Sequence, residues 1–209
     1  MQITYLFDPL CGWCYGASPA IERLAALENV TLALSPTGLF AGEGARPLDA
    51  GFAQFAWQND QRIARLTGLP FTEAYKTQVL DTPGNMFDSA PATLALVAVG
   101  LSEPGKELAV LKTLQHARYE DGRDTSDLET VAAILEETGF PAAARSLRAP
   151  DESLYALYRT KTSAARSDMA AFGANGVPAL VAGDGANRRL LNSNALYGDF
   201  DQLAAQIAA

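Results

Sequence analysis

The chain has 209 residues, with 16 Lys and Arg against 24 Asp and Glu, so its formal net charge is −8. A chain of this length with 48% hydrophobic residues can bury a substantial core, as one domain or as one domain with a large insertion. Its acidity would repel nucleic acid backbones and anionic membrane surfaces, so neither is expected as a partner. The longest apolar stretch, 94–101, is much shorter than the roughly 20 residues of a transmembrane helix, and none is expected.

The N-terminal segment predicts a strand, a helix and a second strand. Apolar residues recur at every second position over residues 2–8, which is typical of a strand. A helical pattern follows up to Asn29, and Pro19 within it should kink the helix or end its first turn. Residues 30–34 form the second strand candidate. The expected unit is a right-handed parallel βαβ.

Residues 40–173 predict a block of helices, because the apolar period changes to that of a helix. One helix should end at Gly68. Its apolar residues are expected on a single stripe: Phe52, Phe55, Ala56, Ile63 and Leu66.

Three further helix starts are predicted from capping residues. Asp88 and Ser89 can cap one helix, Ser126 can form a capping box with Glu129 for the next, and Asp151 can cap a third.

The β pattern returns after Gly173. Residues 179–182 and 189–191 predict two strands joined as a hairpin, and a helix closes the chain. This order of elements fits an α/β fold, with a four-stranded mixed sheet, one antiparallel hairpin and helices on both faces.

The two cysteines of the chain lie in the tetrapeptide Cys11-Gly12-Trp13-Cys14, between the first strand and the first helix. Unpaired N–H groups and the helix dipole favour a thiolate at a helix start, so Cys11, exposed to solvent, is the expected nucleophile. Cys14 lies on the same side of the helix, within disulfide reach. The pair predicts a two-electron redox centre, against the alternatives of two buried small residues or a zinc site.

A metal site is not expected. A closed zinc site takes four ligands, and the only histidine, His116, lies in the helical block, far along the chain from the two cysteines.

The tripeptide Gly176-Val177-Pro178 precedes a predicted strand. A proline there is expected at an edge, a bulge or a special turn. From the residues alone, an ordinary turn and a cis Val177–Pro178 bond both stay open.

Four segments together resemble the DsbA-like branch of the thioredoxin superfamily, in particular its cytosolic FrnE-like proteins, described as predicted protein disulfide isomerases. They are residues 8–16 around the cysteines, 176–180, 88–92 and 120–124. The resemblance implies a thioredoxin-like mixed sheet with a large all-helical insertion. It implies a discontinuous thioredoxin-like domain of residues 1–39 and 166–209, and a helical domain of residues 40–165.

The resemblance also implies roles for site residues. Cys11 would be the attacking thiol and Cys14 the resolving thiol. Pro178 would be a cis proline that faces them, and the backbone of Val177 would pair with an extended substrate. DsbA itself has Pro-His between its cysteines, so a potential as oxidising as that of DsbA is not implied by Gly12-Trp13.

Two more residues near the cysteines are candidates. Asp8 either caps the turn into the helix, or its carboxylate opposes thiolate formation and transfers a proton to or from Cys14. Trp13 is expected to form a substrate contact surface, because it lies in the reactive turn.

The predicted function is that of a cytoplasmic thiol-disulfide oxidoreductase that needs no cofactor. Its partners would be protein or small-molecule thiols and disulfides, with glutathione or thioredoxin as electron partner. One alternative is a glutathione-dependent transferase or isomerase of the kappa type, which usually has a serine at the position of Cys11. The other is a non-enzymatic redox sensor or chaperone-like binder.

Overall fold

A four-stranded mixed sheet joins the two ends of the chain in the computed structural model, which describes residues 1–208. The strands are β1 (Gln2–Phe7), β2 (Thr31–Pro36), β3 (Arg46–Pro47), β4 (Met86–Phe87), β5 (Ala179–Ala182) and β6 (Arg189–Leu190). The large sheet has the order β2-β1-β5-β6. Strand β1 pairs with β2 in parallel and with β5 in antiparallel orientation, and β5 pairs with β6 as a hairpin. The sheet predicted from the sequence is confirmed.

Most of the remaining chain is helical. The helices are α1 (Gly12–Gly16), α2 (Ser18–Ala25), α3 (Ala50–Thr67), α4 (Glu73–Tyr75), α5 (Ala90–Ser102), α6 (Glu107–Tyr119), α7 (Leu128–Glu137), α8 (Pro141–Arg148), α9 (Glu152–Phe172) and α10 (Phe200–Ala208). A π-helical turn, Lys76–Leu80, follows α4 directly. Among the described residues, no helix has both the length and the apolar character needed to cross a membrane.

The sheet is buried on both faces because successive side chains of β1 point in opposite directions. Ile3, Tyr5 and Phe7 are at most 1% exposed and belong to the main core. Leu6 points the other way and packs in a second cluster with Val181 and residues of α9. Helices therefore cover both faces, as the sequence predicts.

The helix expected around Pro19 is divided into two short helices. Helix α1 ends at Gly16 and α2 starts at Ser18, so the proline occupies the first turn of the second helix, where its missing N–H costs nothing. The sequence predicts a kink or the end of a first turn here. The break leaves Cys14 on a helix of only five residues, with Cys11 as its N-cap.

Helix α3 presents a different face to the core than the sequence predicts. It ends at Gly68, as expected, with a left-handed φ of 76°. Phe55 and Leu66, however, are 61% and 53% exposed, whereas Asp60 is only 6% exposed. The stripe expectation was wrong because the large apolar side chains of α3 do not all point to the core, and a carboxylate takes a core position.

The predicted helix caps are partly correct. Asp151 accepts a hydrogen bond from Leu154 N, 2.8 Å, as expected. The α7 start is capped by Asp127, which accepts from Thr130 N, rather than by Ser126. Ser89 precedes α5 without capping it, because its hydroxyl bonds elsewhere.

The helical block is not entirely helical. Strands β3 and β4 form a two-residue antiparallel ladder within it, too short for a period-2 pattern to indicate. The division between residues 165 and 166 stays a prediction, and it falls inside the continuous helix α9.

Candidate active site

The turn between β1 and α1 positions the two cysteines. Cys11 N donates to Asp8 O, 3.1 Å, which closes the turn. Cys11 is the N-cap of α1, in an extended conformation (φ −81°, ψ 115°), and its Sγ accepts from Cys14 N at 3.4 Å. The sulfur of Cys11 thus takes the capping position that a serine or aspartate oxygen usually occupies.

The two thiols are free and differ in environment. Cys11 is 7% exposed and Cys14 is 1% exposed. Burial raises the pKa of the Cys14 thiol well above its usual value, and the contact with Cys11 raises it further. Cys11 is less exposed than the sequence analysis expects, yet it is the more accessible thiol of the pair.

Val177 and Pro178 lie beside Cys11, although they are remote in sequence. The Cys11 thiol donates to Val177 O at 3.5 Å, and the Val177–Pro178 peptide bond is cis, as the resemblance predicts. Strand β5 begins at the next residue and pairs with β1. The sheet therefore brings the two segments together.

Asp8 is fully buried at the end of β1. Its Oδ1 accepts from Leu10 N at 2.9 Å, and its Oδ2 accepts from Phe40 N at 3.1 Å and from Ser89 Oγ at 2.7 Å. Burial raises the pKa of Asp8, although these hydrogen bonds oppose the rise. The carboxyl group caps the turn and also ties it to the start of α5.

Trp13 borders a groove of about 510 Å³, which Val177, the residue that contacts Cys11, also lines. Its ring packs edge-on against Tyr197, with centroids 5.1 Å apart, and its carbonyl accepts from Tyr197 Oη at 2.8 Å. The Arg62 guanidinium lies 5.8 Å from the Trp13 ring centroid. The groove is lined by Trp13, Arg62, Leu66, Val177, Pro178, Ser193, Asn194, Tyr197 and Gly198.

Tyrosines pack behind the reactive turn, a role that the sequence does not predict. Tyr119 Oη donates to Leu10 O at 2.7 Å, and its ring stacks on Tyr15 with centroids 4.8 Å apart. Tyr5 Oη donates to Cys14 O at 3.4 Å. Tyrosine is common in cores, so no pattern in the sequence distinguishes these residues.

Asp60 is a further residue that the sequence analysis missed. Its Oδ2 accepts from Tyr75 Oη at 2.9 Å, and its Oδ1 lies against Gly12, between the cysteines. Burial raises the pKa of Asp60 to about 7, while the hydrogen bond from Tyr75 and the charge of Arg118 oppose the rise. An acidic residue on the same helix face as Ala53 and Ile63 is the signal that could have indicated it.

His116 lies outside this site. It is exposed on α6 and contacts Glu120 and Asp121. Among the described residues, no group of three or more His, Cys, Asp or Glu is arranged to hold a metal ion. A second depression of about 500 Å³ lies against β2 and includes none of the predicted site residues.

Comparisons with known proteins agree with this geometry. The profile of the DSBA-like thioredoxin domain family matches residues 2–207. The cytosolic disulfide reductase DsbM from Pseudomonas aeruginosa is similar, with 28% identity and a TM-score of 0.86 over 100% of this chain and 97% of that chain. Its structure with GSH gives 29% identity and a TM-score of 0.84, with 100% of both chains covered.

Two other structures share the architecture. A candidate protein disulfide isomerase from Nitrosomonas europaea is 25% identical, with a TM-score of 0.78 and 98% of both chains covered. A 2-hydroxychromene-2-carboxylate isomerase is 18% identical, with a TM-score of 0.65 over 100% of this chain and 96% of that chain, which shows a common fold alone. No significant relative is found among curated proteins.

Proposed function

Because the chain belongs to the DSBA-like thioredoxin domain family, we propose that it is a cytosolic disulfide reductase that takes its electrons from glutathione. In this proposal Cys11 attacks the substrate disulfide and Cys14 resolves the mixed disulfide. Trp13, Val177 and Pro178 contact the substrate. The family match supports thiol-disulfide chemistry, and the specific activity and the residue roles are our inference.

The observation that carries the proposal is the position of the Cys11 sulfur. It lies within 3.5 Å of the Val177 carbonyl and 3.4 Å of the Cys14 amide, next to the groove that Trp13 borders. A substrate disulfide in this groove would meet Cys11 first. Cys14 lies behind it, almost fully buried, where it can reach Cys11 but not the solvent.

The reaction proceeds in two exchanges. The Cys11 thiolate attacks one sulfur of the substrate, the substrate S–S bond breaks, and the departing sulfur takes up a proton. Cys14 then loses its proton and attacks Cys11 Sγ, so the second substrate thiolate leaves and is protonated. The substrate gains two electrons and two protons, and the enzyme is left with a Cys11–Cys14 disulfide.

Two glutathione thiols would regenerate the dithiol. The first attacks Cys11 Sγ and releases Cys14 as a thiol. The second attacks the glutathione sulfur of the mixed disulfide, which releases glutathione disulfide and the Cys11 thiol. Arg62 at the groove offers a positive charge for a glutathione carboxylate. The DsbM structure with GSH supports glutathione as the partner.

The surroundings of the dithiol favour a reductant over an oxidant. A strong oxidant such as DsbA owes its high potential to stabilisation of its reduced form. Here α1 has only five residues, so its dipole is small, and two buried carboxyl groups, Asp8 and Asp60, lie near the dithiol. We expect a potential nearer to about −270 mV than to about −120 mV.

The test combines a turnover assay with a trap. With glutathione and a glutathione reductase couple, the protein should reduce a protein disulfide over many turnovers, and Cys11→Ser should abolish this. Cys14→Ser should accumulate mixed disulfides at Cys11 that dithiothreitol releases.

The trapped species separate the alternatives. Protein adducts support the reductase, whereas glutathione adducts alone favour a kappa-type or small-thiol role. Rapid alkylation of Cys11 without any adduct or turnover would favour the redox sensor and contradict the proposal.

A further inference from the structure

Asp60 contacts the reactive loop, yet the exchange steps above make no use of it. It projects from α3, which packs against α1, and it is 6% exposed. Tyr75 holds one carboxyl oxygen through a hydrogen bond of 2.9 Å. The other oxygen faces the backbone of Gly12, the residue between Cys11 and Trp13.

The fit between Asp60 and Gly12 is close. A Cβ at position 12 would collide with Asp60 Oδ1, whereas its next neighbour, Ile63 Cδ1, would lie 3.2 Å away, which a small shift can accommodate. Gly12 has no positive φ that would demand glycine for conformational reasons. The absent side chain therefore makes room for the carboxyl group.

The charged and polar groups around Asp60 determine how strongly its charge acts on its neighbours. Tyr75 from α4, Arg118 and Tyr119 from α6, and Cys11 at the start of α1 face this region. Arg118 is fully buried and lies 3.2 Å from Asp124, so its positive charge is already shared with another carboxylate. Tyr75, which donates to Asp60, packs edge-on against Tyr119 with ring centroids 5.0 Å apart, and Tyr119 Oη donates to Leu10 O, next to Cys11.

We propose that Asp60 is a positioning residue of the dithiol, which rests on Gly12 and opposes, through its negative charge, the formation of the Cys11 thiolate. This inference rests on the proposed function and deepens it, because it identifies a residue that sets how reactive the attacking thiol is. Like charges disfavour each other, so an ionised Asp60 makes the thiolate harder to form and a neutral Asp60 does not. Since its pKa is raised to about 7, Asp60 changes charge near neutral pH.

The first test measures the rate of Cys11 alkylation by iodoacetamide between pH 5 and 9, with the labelled site mapped by mass spectrometry. In Asp60→Asn the midpoint of the rate-against-pH curve should move down by about one unit, as expected for loss of a nearby negative charge at an effective dielectric constant of about 20. Asp184→Asn is the matched control. It removes the same charge from an exposed residue at the opposite end of the sheet, and its curve should coincide with that of the parent.

A second variant covers the case in which Asp60→Asn does not fold. Tyr75→Phe keeps the ring and removes the hydrogen bond that favours the carboxylate, so Asp60 should stay neutral to higher pH. At pH 7 to 8 its Cys11 should alkylate faster than in the parent. If every folded variant at Asp60 and Tyr75 gives the parent curve, the proposal is wrong.

A coupling experiment separates contact from a general structural role. Gly12→Ala should lower Tm in the parent, and this loss should shrink in an Asp60→Ala background, where the collision is removed. If the two substitutions change Tm additively, the contact between Gly12 and Asp60 is contradicted. Alkylation needs no disulfide substrate, so it tests Asp60 independently of the proposed function. A shifted alkylation curve without reductase turnover would overturn only the proposed function. Reductase turnover with an unshifted alkylation curve would overturn only this inference.

Discussion

At the scale of single residues, the dithiol is asymmetric. Cys11 caps the start of the short helix α1 and contacts Val177, which lines the groove, whereas Cys14 is almost fully buried and its carbonyl accepts from Tyr5 Oη. Burial is the largest cause of the raised pKa of Cys14. The asymmetry supports the proposed roles of Cys11 as the attacking thiol and Cys14 as the resolving thiol.

This asymmetry predicts an order of alkylation. In the reduced protein at pH 7, Cys11 should react with iodoacetamide at least about tenfold faster than Cys14, because a rise of one pKa unit already removes nine-tenths of a thiolate. Peptide mapping after short exposure measures both rates. In urea the two rates should converge, and faster labelling of Cys14 in the folded state would reverse the assignment of the two thiols.

The sequence was sufficient to predict the two cysteines as the candidate redox centre, since their spacing and their place after a strand are local features. It was not sufficient for Asp60, which comes from a helix 48 residues after Gly12 and meets it only through packing. An isolated acidic residue within an apolar pattern is usually solvated. The position of Asp60 on the same helix face as Ala53 and Ile63 indicates burial, but only the contact with Gly12 places it at the dithiol.

At the scale of elements, α5 is tied to the reactive turn through one hydrogen bond. Ser89 immediately precedes α5, and its Oγ donates to Asp8 Oδ2 at 2.7 Å. Asp88 and Ser89 predict the start of this helix in the sequence, but the Ser89 hydroxyl bonds Asp8, which lies 81 positions away. The helix start could therefore be predicted and the link could not.

Removing this link should destabilise the protein. Ser89→Ala leaves a buried carboxylate with one hydrogen bond fewer, so the free energy of unfolding should fall by about 1–3 kcal/mol at pH 7, measured by urea denaturation. Ser102→Ala at the other end of α5 should cost much less, because the Ser102 hydroxyl only bonds a carbonyl of its own helix.

The pH dependence of the Ser89→Ala effect gives a check on its cause. The hydrogen bond favours the ionised form and lowers the Asp8 pKa. The loss of this hydrogen bond should therefore lower the free energy of unfolding by its full amount while Asp8 is ionised. The difference between the two proteins should diminish as the pH falls through the pKa of Asp8. A difference between the two proteins that does not change with pH would indicate a packing defect instead.

At the scale of the whole molecule, changes in the apolar period along the sequence predict the order of strands and helices and the composition of the sheet. They did not predict how α3 is rotated or the small β3–β4 ladder, because these depend on contacts between helices of the block. Short elements and helix rotation carry too little periodic signal. The secondary structure follows from local patterns in the sequence, whereas the residues that line the site come from segments far apart in the chain.

The proposed direction of electron flow predicts how the redox state affects stability. If the dithiol is a reductant, the fold favours the disulfide, so the oxidised protein should melt at a higher temperature than the reduced protein. For a chain of this size the difference in Tm should be roughly 2–4 °C for each kcal/mol. Calorimetry with and without dithiothreitol measures it.

The control for this measurement is the Cys11→Ser/Cys14→Ser variant, whose Tm should be the same under both conditions. A reduced form that melts at the higher temperature would instead indicate an oxidant.

The place of β5 in the sheet has a consequence during synthesis. Strand β1 lies between β2 and β5, so one of its edges stays unpaired until residues 179–182 have left the ribosome. Cys11 and Cys14 are synthesised before the Val177 carbonyl that contacts Cys11, which follows 166 residues after Cys11. While the residues between them are synthesised, the nascent chain must therefore carry two accessible thiols and an open strand edge, and the sheet can close only after β5 has emerged.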